Sequence, residues 1–121
     1  MTKLTGSMLT SGDVIQLDLG VPEGREAGFR HPAVVVTAQR ILDARPSVIQ
    51  VVPLTSTVRG FAAEVTIEPD TANGLRNQCA AQCQHIGAVS TKRVDEVTGN
   101  IGAAVVSQIR DTIGLILDLP G

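Results

Sequence analysis

The stretch GDVIQLDLGVPEGREAGFRHPAVVV, residues 12–36, contains the pattern from which the fold of this chain can be predicted. Residues 13–20 alternate apolar and polar side chains, which is typical of a half-buried β-strand. Residues 20–31 are rich in glycine and charge, and they predict a loop. Residues 32–39 then predict a central strand that begins at Pro32, where a missing backbone N–H is tolerated. The stretch therefore predicts two buried strands joined by a charged loop.

The rest of the chain predicts more short strands and then a helix. Further apolar runs at 47–55 and 62–69 indicate strands, and residues 78–90 indicate one or two more, broken at Gly87. Residues 40–46 predict a short helical turn that ends before Pro46. The best helix candidate spans residues 100–119, where apolar side chains recur at helical spacing: Val105, Ile109, Ile113 and Ile116.

Together these elements predict a mainly β fold with one C-terminal helix. About five to seven short strands would form a small twisted sheet or partly open barrel, and the helix would cap it. A length of 121 residues fits a single domain, which we assign to residues 12–121 after a loose tail at residues 1–11. No apolar run reaches the length of about 20 residues that a membrane span needs, and the start has no signal-peptide pattern. We therefore expect a cytoplasmic protein without a membrane partner.

The cysteines and the net charge limit the functions that the chain can have. Cys79, Cys83 and His85 form a C-x3-C-x-H pattern, but a structural zinc site needs four ligands at tighter spacings. We therefore expect two reduced thiols, no metal and no cofactor. The formal net charge of −2 argues against binding of duplex DNA by bulk electrostatics. Local arginines remain suited to phosphate contacts, although a solvated charged face explains them equally well: Arg25, Arg30, Arg40 and Arg45.

Three stretches resemble the MazF/PemK toxins. Residues 12–36 are similar to the first strand, the G-x-E loop and the Arg-Pro that precedes a valine run in that family. VVPLTS, residues 51–56, is similar to the family's strand ending in Pro-x-Thr-Ser, and QCQHIGAVS, residues 82–90, is similar to its closing strand. The match follows the family's order from residue 12 to residue 119.

The resemblance implies both a fold and an activity. Members of the family form homodimeric SH3-like barrels with a C-terminal helix, and a cognate antitoxin inhibits them. They are endoribonucleases that cut single-stranded RNA at short sequences without a metal and thereby inhibit translation. The attacking group is the ribose 2′-OH, so the products are a 2′,3′-cyclic phosphate and a 5′-hydroxyl.

The resemblance also implies the catalytic residues. Thr55 matches the family threonine, whose hydroxyl can hydrogen-bond a phosphate group. The family arginine lies directly before proline, whereas this chain reads Arg30-His31-Pro32. Arg30 fills the arginine position if His31 is an insertion, and His31 fills it in an alignment without gaps. We expect Arg30 to hold the charged phosphate, because its charge is permanent and its fork binds two oxygens, with His31 in support as an acid or base.

Several further residues have an implied role in support of catalysis or in RNA binding. Glu26 matches the glutamate of the G-x-E loop, where it can orient Arg30 or accept the 2′-OH proton, although an exposed salt bridge explains it equally well. Gln82 matches a glutamine of the late strand, and Ala81 replaces an acidic residue that some members carry before it. The expected RNA-binding residues are Arg25, Phe29, Ser56, Thr57 and Gln82.

Two other functions fit the same pattern. An SH3-like barrel can bind nucleic acid or peptide without catalysis, and Thr55 and Ser56 would then only cap a turn. A gyrase-directed toxin of the same fold is the second alternative. Because neither alternative requires an arginine and a threonine at one phosphate, the presence of both residue types favours the nuclease.

Overall fold

The computed structural model describes residues 9–20 and 30–120 of the chain. Seven strands and two helices follow one another along these residues, with a 3₁₀ turn on either side of β6. The strands are β1 (Asp13–Asp18), β2 (Arg30–Val35), β3 (Val48–Thr55), β4 (Glu64–Ile67), β5 (Cys79–Gln82), β6 (Gly87–Ser90) and β7 (Val94–Asn100). The helices are α1 (Gln39–Leu42) and α2 (Ala103–Ile116), and the 3₁₀ turns are Cys83–His85 and Thr91–Arg93.

The strands form one antiparallel sheet in the order β4-β5-β3-β2-β1-β7. β6 and β5 both pair with β3, along the same edge of this eight-residue strand. The first half of β3 pairs with β6, and Leu54 and Thr55 at its end pair with β5. The predicted mainly β fold with a C-terminal helix is confirmed.

β2 and β3 carry continuous valine runs because both of their faces are buried. On one face Val34 and Val52 join a core cluster that includes Ile109 of α2. On the other face Val35 and Val51 pack in a second cluster of strand residues. These two strands therefore lie at the centre of the molecule, and α2 covers one side of them.

β7 and the ends of the C-terminal helix differ from the sequence predictions. β7 reads VDEVTGN, in which apolar alternation is too weak to indicate a strand; it forms because β1 offers its free edge. The helix spans Ala103–Ile116 rather than residues 100–119. Ile116 was predicted to lie in the buried stripe but is 41% exposed, and Val106 takes the buried position instead.

Three smaller predictions also need correction. Pro32 is the third residue of β2 rather than the first. The break within residues 78–90 is the 3₁₀ turn Cys83–His85, and Gly87 begins the next strand. Leu9 was predicted to lie in the loose tail, but it is buried in a core cluster. The packed part of the chain therefore includes Leu9.

Ile109 is the most buried residue of α2, and its side chain lies in the core cluster shared with the sheet. We expect Ile109→Ala to lower the free energy of unfolding by about 2–5 kcal/mol, the usual cost of a buried cavity. The matched control is Gln108→Ala on the exposed side of the same helix, with an expected change within about 0.5 kcal/mol. Urea titration followed by far-UV circular dichroism measures both, because the chain has no Trp or Tyr. Equal losses in the two variants would contradict the packing described.

Candidate active site

The candidate site lies where β2 begins and β3 ends. The two strands are antiparallel, with Ala33 opposite Pro53. The same register, continued by two residues, sets His31 opposite Thr55. Both residues line one cavity of about 300 Å³. The lining of this cavity, called here the His31–Thr55 pocket, consists of His31, Pro32, Leu54, Thr55, Ser56 and Cys79.

The Thr55 hydroxyl at the end of β3 is held by a backbone hydrogen bond. Its Oγ1 accepts a hydrogen bond of 3.1 Å from the backbone N–H of Thr57, so the side chain caps the turn that follows the strand. This contact uses Oγ1 as an acceptor only. The hydroxyl proton has no acceptor among residues 9–20 and 30–120, so it can be donated to a bound group. Turn capping and a catalytic role are therefore compatible in this residue.

Arg30 does not line this pocket, so the catalytic role predicted for it beside Thr55 stays a prediction. Its guanidinium forms an ion pair with Asp95 and lies 3.7 Å from Glu96, both on β7. It lines a different cavity of about 560 Å³, together with Arg76. Pro32 lines both cavities, and the ion pair with Asp95 turns the Arg30 side chain toward β7. Of Arg30 and His31, the register brings His31 to Thr55.

A second polar group surrounds Glu64, and we call Arg59, Glu64, Gln82 and Gln84 the Glu64 network. Glu64 Oε2 accepts from Arg59 Nη2 at 2.7 Å, from Gln84 Nε2 at 2.8 Å and from Gln82 Nε2 at 3.3 Å. The Glu64 side chain is only 2% exposed. The hydrogen bond from Gln84 is the largest factor that lowers the pKa of the Glu64 carboxyl; the contacts with Arg59 and Gln82 lower it further, and desolvation opposes them.

The Glu64 network contains one residue that the sequence analysis identified and three that it missed. Gln82 was predicted to bind RNA, and it lies beside Glu64 because the two residues are paired across β4 and β5. Glu64 itself interrupts the apolar run AAEVTI, and a lone acidic residue at the start of a strand is the one signal that pointed to it. Arg59 also lies over the ring of Phe61, 4.3 Å from its centroid.

Both cysteines are free thiols. Desolvation raises the pKa of Cys79, which lines the His31–Thr55 pocket, and raises that of the buried Cys83 to about 11. Both thiols are therefore protonated at neutral pH. Within the described ranges, no three His, Cys, Asp or Glu side chains form a group that could hold a metal ion.

The remaining predicted site residues fall into two groups. Ser56 and Thr57 follow Thr55 directly and are exposed, and Ser56 lines the pocket. Arg25, Glu26 and Phe29 lie outside the described residues.

Comparison with known proteins decides the family. The family model for the PemK-like, MazF-like toxins of type II toxin–antitoxin systems matches residues 10–117. The chain belongs to this family. The endoribonuclease MazF9 of Mycobacterium tuberculosis is 33% identical over 116 residues, which cover 93% of this chain and 98% of the relative. The predicted identity as a MazF/PemK-type toxin endoribonuclease is confirmed.

Solved structures of MazF toxins share the fold. The M. tuberculosis toxin MazF-mt6 matches with a TM-score of 0.71 at 21% identity, over 90% of this chain and 99% of its own. A MazE–MazF structure from Deinococcus radiodurans matches with a TM-score of 0.75 at 24% identity, over 93% and 97% of the two chains. Neither α1 nor α2 has the length and apolar run that crossing a bilayer requires.

The lowered pKa of Glu64 predicts a specific loss of stability in acid. Because the folded-state pKa lies below the ordinary value of 4.5, the ionised carboxylate stabilises the fold above that pH, and this contribution disappears as the pH falls through the folded-state pKa. We expect Glu64→Gln to be less stable than the parent at pH 7, and the difference to shrink below about pH 4.5. Urea unfolding of both proteins from pH 3 to 7 measures this difference in the free energy of unfolding.

Glu68→Gln is the matched control, because Glu68 also accepts a hydrogen bond from a glutamine amide but is exposed. A stability difference between Glu64→Gln and the parent that stayed constant across the whole pH range would contradict the assignment.

Proposed function

We propose that this toxin cleaves single-stranded RNA without a metal in the His31–Thr55 pocket. The 2′-oxygen of a ribose attacks the adjacent phosphorus, the bond to the 5′-oxygen breaks, and the ends are a 2′,3′-cyclic phosphate and a 5′-hydroxyl. The observation that carries this proposal is the cavity that His31 and Thr55 line together at the paired ends of β2 and β3. The 33% identity to an endoribonuclease supports the reaction class.

The two side chains supply different parts of this chemistry. In its protonated form, His31 is a cationic N–H donor that also gives its proton to the departing 5′-oxygen, which an arginine cannot do at neutral pH. The Thr55 hydroxyl is held by the N–H of Thr57 and donates its own proton to a non-bridging phosphate oxygen, where negative charge develops. Glu26 keeps its implied role as the group that accepts the 2′-OH proton.

Arg30 has a structural role in this proposal. Its ion pair with Asp95 links the start of β2 to β7 across β1, beside the position of His31. Both partners are partly exposed, so the pair contributes at most about 1 kcal/mol to stability. RNA contacts are assigned to Ser56, Thr57 and Gln82 near the pocket, and to Arg25 and Phe29, which precede β2 in the sequence.

A homodimer and an antitoxin complete the proposal. Several large apolar side chains at the end of α2 are exposed and fit a dimer contact: Leu115, Ile116, Leu117 and Leu119. The D. radiodurans MazE–MazF structure and a mycobacterial endoribonuclease in complex with its cognate antitoxin support inhibition by a partner protein. An acidic antitoxin segment would compete with RNA for Arg25. We place the protein in the cytoplasm, where RNA is present and thiols stay reduced.

The nuclease assignment predicts the response of three variants in EDTA. We expect His31→Ala and Thr55→Ala each to lower kcat/KM for RNA cleavage by about 10²-fold or more, the usual loss when a proton donor or a charge-stabilising donor is removed. His85→Ala is the matched control, because His85 is the second histidine of the chain and does not line the pocket. It should cleave at the parent rate. End-group analysis of the products should give the cyclic phosphate and the 5′-hydroxyl.

Two results would contradict the assignment. Activity that disappears in EDTA would show that a metal takes part in the reaction. Binding of RNA without cleavage by the parent protein would favour the non-catalytic barrel.

A further inference from the structure

Two members of the Glu64 network, Glu64 and Gln82, lie on the same face of the sheet as Thr55. Thr55 is opposite Ala80 on β5, and Gln82 is opposite Glu64 on β4. Because alternate residues of a strand share a face, Ala80 and Gln82 point the same way, and Gln82 is a diagonal neighbour of Thr55. Diagonal neighbours have Cα atoms about 7–8 Å apart, within reach of a long side chain. Gln82 is therefore placed to contact a base that flanks the phosphate at Thr55.

Glu64 fixes the orientation of the Gln82 amide. An ionised carboxylate can only accept hydrogen bonds, so each glutamine amide that contacts it must present its NH₂ group. Gln82 and Gln84 both donate through Nε2 to Glu64 Oε2. The carbonyl oxygen of Gln82 is consequently turned away from Glu64, and it has no hydrogen-bond donor among the residues that the structure describes.

The Glu64 network also leaves two acceptor oxygens without a donor in the described part of the chain. Glu64 Oε1 and Gln84 Oε1 are both buried and have no hydrogen-bond partner within the described part of the chain. The Arg59 guanidinium is held by Glu64 Oε2 and lies over Phe61. Because both of these atoms are buried, the acceptor that a ligand can reach is the carbonyl oxygen of the half-buried Gln82, and a complementary ligand offers it an N–H donor.

We propose that Glu64 is a positioning residue that holds Gln82 as a hydrogen-bond acceptor, so that this subsite selects an RNA base with an exocyclic amino group. Adenine, cytosine and guanine carry such a group, whereas uracil has carbonyl oxygens on both sides of its N3–H. The proposal rests on the nuclease function and names a base preference beside the cleaved linkage.

The test compares cleavage of RNAs that differ in one amino group. Oligoribonucleotides that the parent cuts are synthesised with adenosine or purine riboside, and with cytidine or uridine, at each position flanking the cut. At one position we expect the parent to prefer the amino-bearing base by about tenfold in kcat/KM, the ratio that 1.4 kcal/mol gives at 25 °C. Glu64→Gln should bring that ratio close to one, because a glutamine can donate as well as accept and lets the Gln82 amide rotate. The ratio is independent of the fraction of folded enzyme.

Glu68→Gln is the matched control and should keep the parent ratio, since Glu68 is exposed and binds Gln78 instead. If Glu64→Gln fails to fold, Gln82→Leu takes its place, because it removes the acceptor and keeps a side chain of similar size. This variant must abolish the preference for the amino-bearing base. The proposal is overturned if the parent enzyme cleaves RNA without preferring an amino-bearing base, or if that preference survives in these variants. Either result leaves the nuclease function standing. Antitoxin binding that weakens in Glu64→Gln while the base ratio is unchanged would assign the Glu64 network to the protein partner. Absence of cleavage by the parent overturns the nuclease function itself.

Discussion

The antiparallel pairing of β2 with β3 is the constraint on which the rest of this structure depends. Both strands are buried on both faces, so a slip of one residue would exchange the side chains of the two core clusters. The burial of Val34 and Val52 on one side, and of Val35 and Val51 on the other, therefore fixes the register. The same register determines which residue at the start of β2 lies opposite Thr55. Core packing thus selects the composition of the candidate active site.

The consequence is a site that differs from the one expected for the family. A permanent cation was expected at the phosphate, but the structure brings His31 to the pocket and engages Arg30 with Asp95. An imidazole contributes a transferable proton where a guanidinium contributes a fixed charge. In the segment between β3 and β4, the charge of Arg59 is likewise held, in this case by Glu64 at the start of β4. In the proposed function, the His31–Thr55 pocket therefore acts on RNA through hydrogen bonds and proton transfer more than through bulk positive charge.

The sequence predicted most of the fold because its strands show either alternation of apolar and polar residues or a continuous apolar run. β1, β2 and β3 are the clear cases, and the helix was found from its apolar stripe. β7 was missed because its strand character comes from its partner β1 and not from its own side chains. Pairing between distant segments is a tertiary effect that one strand's pattern does not contain.

The site was predicted in part. Thr55, Ser56 and Gln82 come from local motifs, and the structure places Thr55 and Ser56 in one pocket, with Gln82 on the adjacent strand. The choice between Arg30 and His31 could not be made from the sequence, because it depends on a strand register. Glu64 was missed for a related reason: its importance arises from three donors, two of which lie on or just after β5.

The central claim is that His31 and Thr55 act on one phosphate and that Arg30 does not. A double-mutant cycle on kcat/KM tests it most directly, because residues that act as a unit give non-additive losses. The account predicts that the variant lacking both His31 and Thr55 loses little more activity than the worse single variant, while the losses from Arg30→Ala and Thr55→Ala simply multiply. The account would be contradicted if the losses of kcat/KM from His31→Ala and Thr55→Ala multiplied while those from Arg30→Ala and Thr55→Ala were strongly coupled.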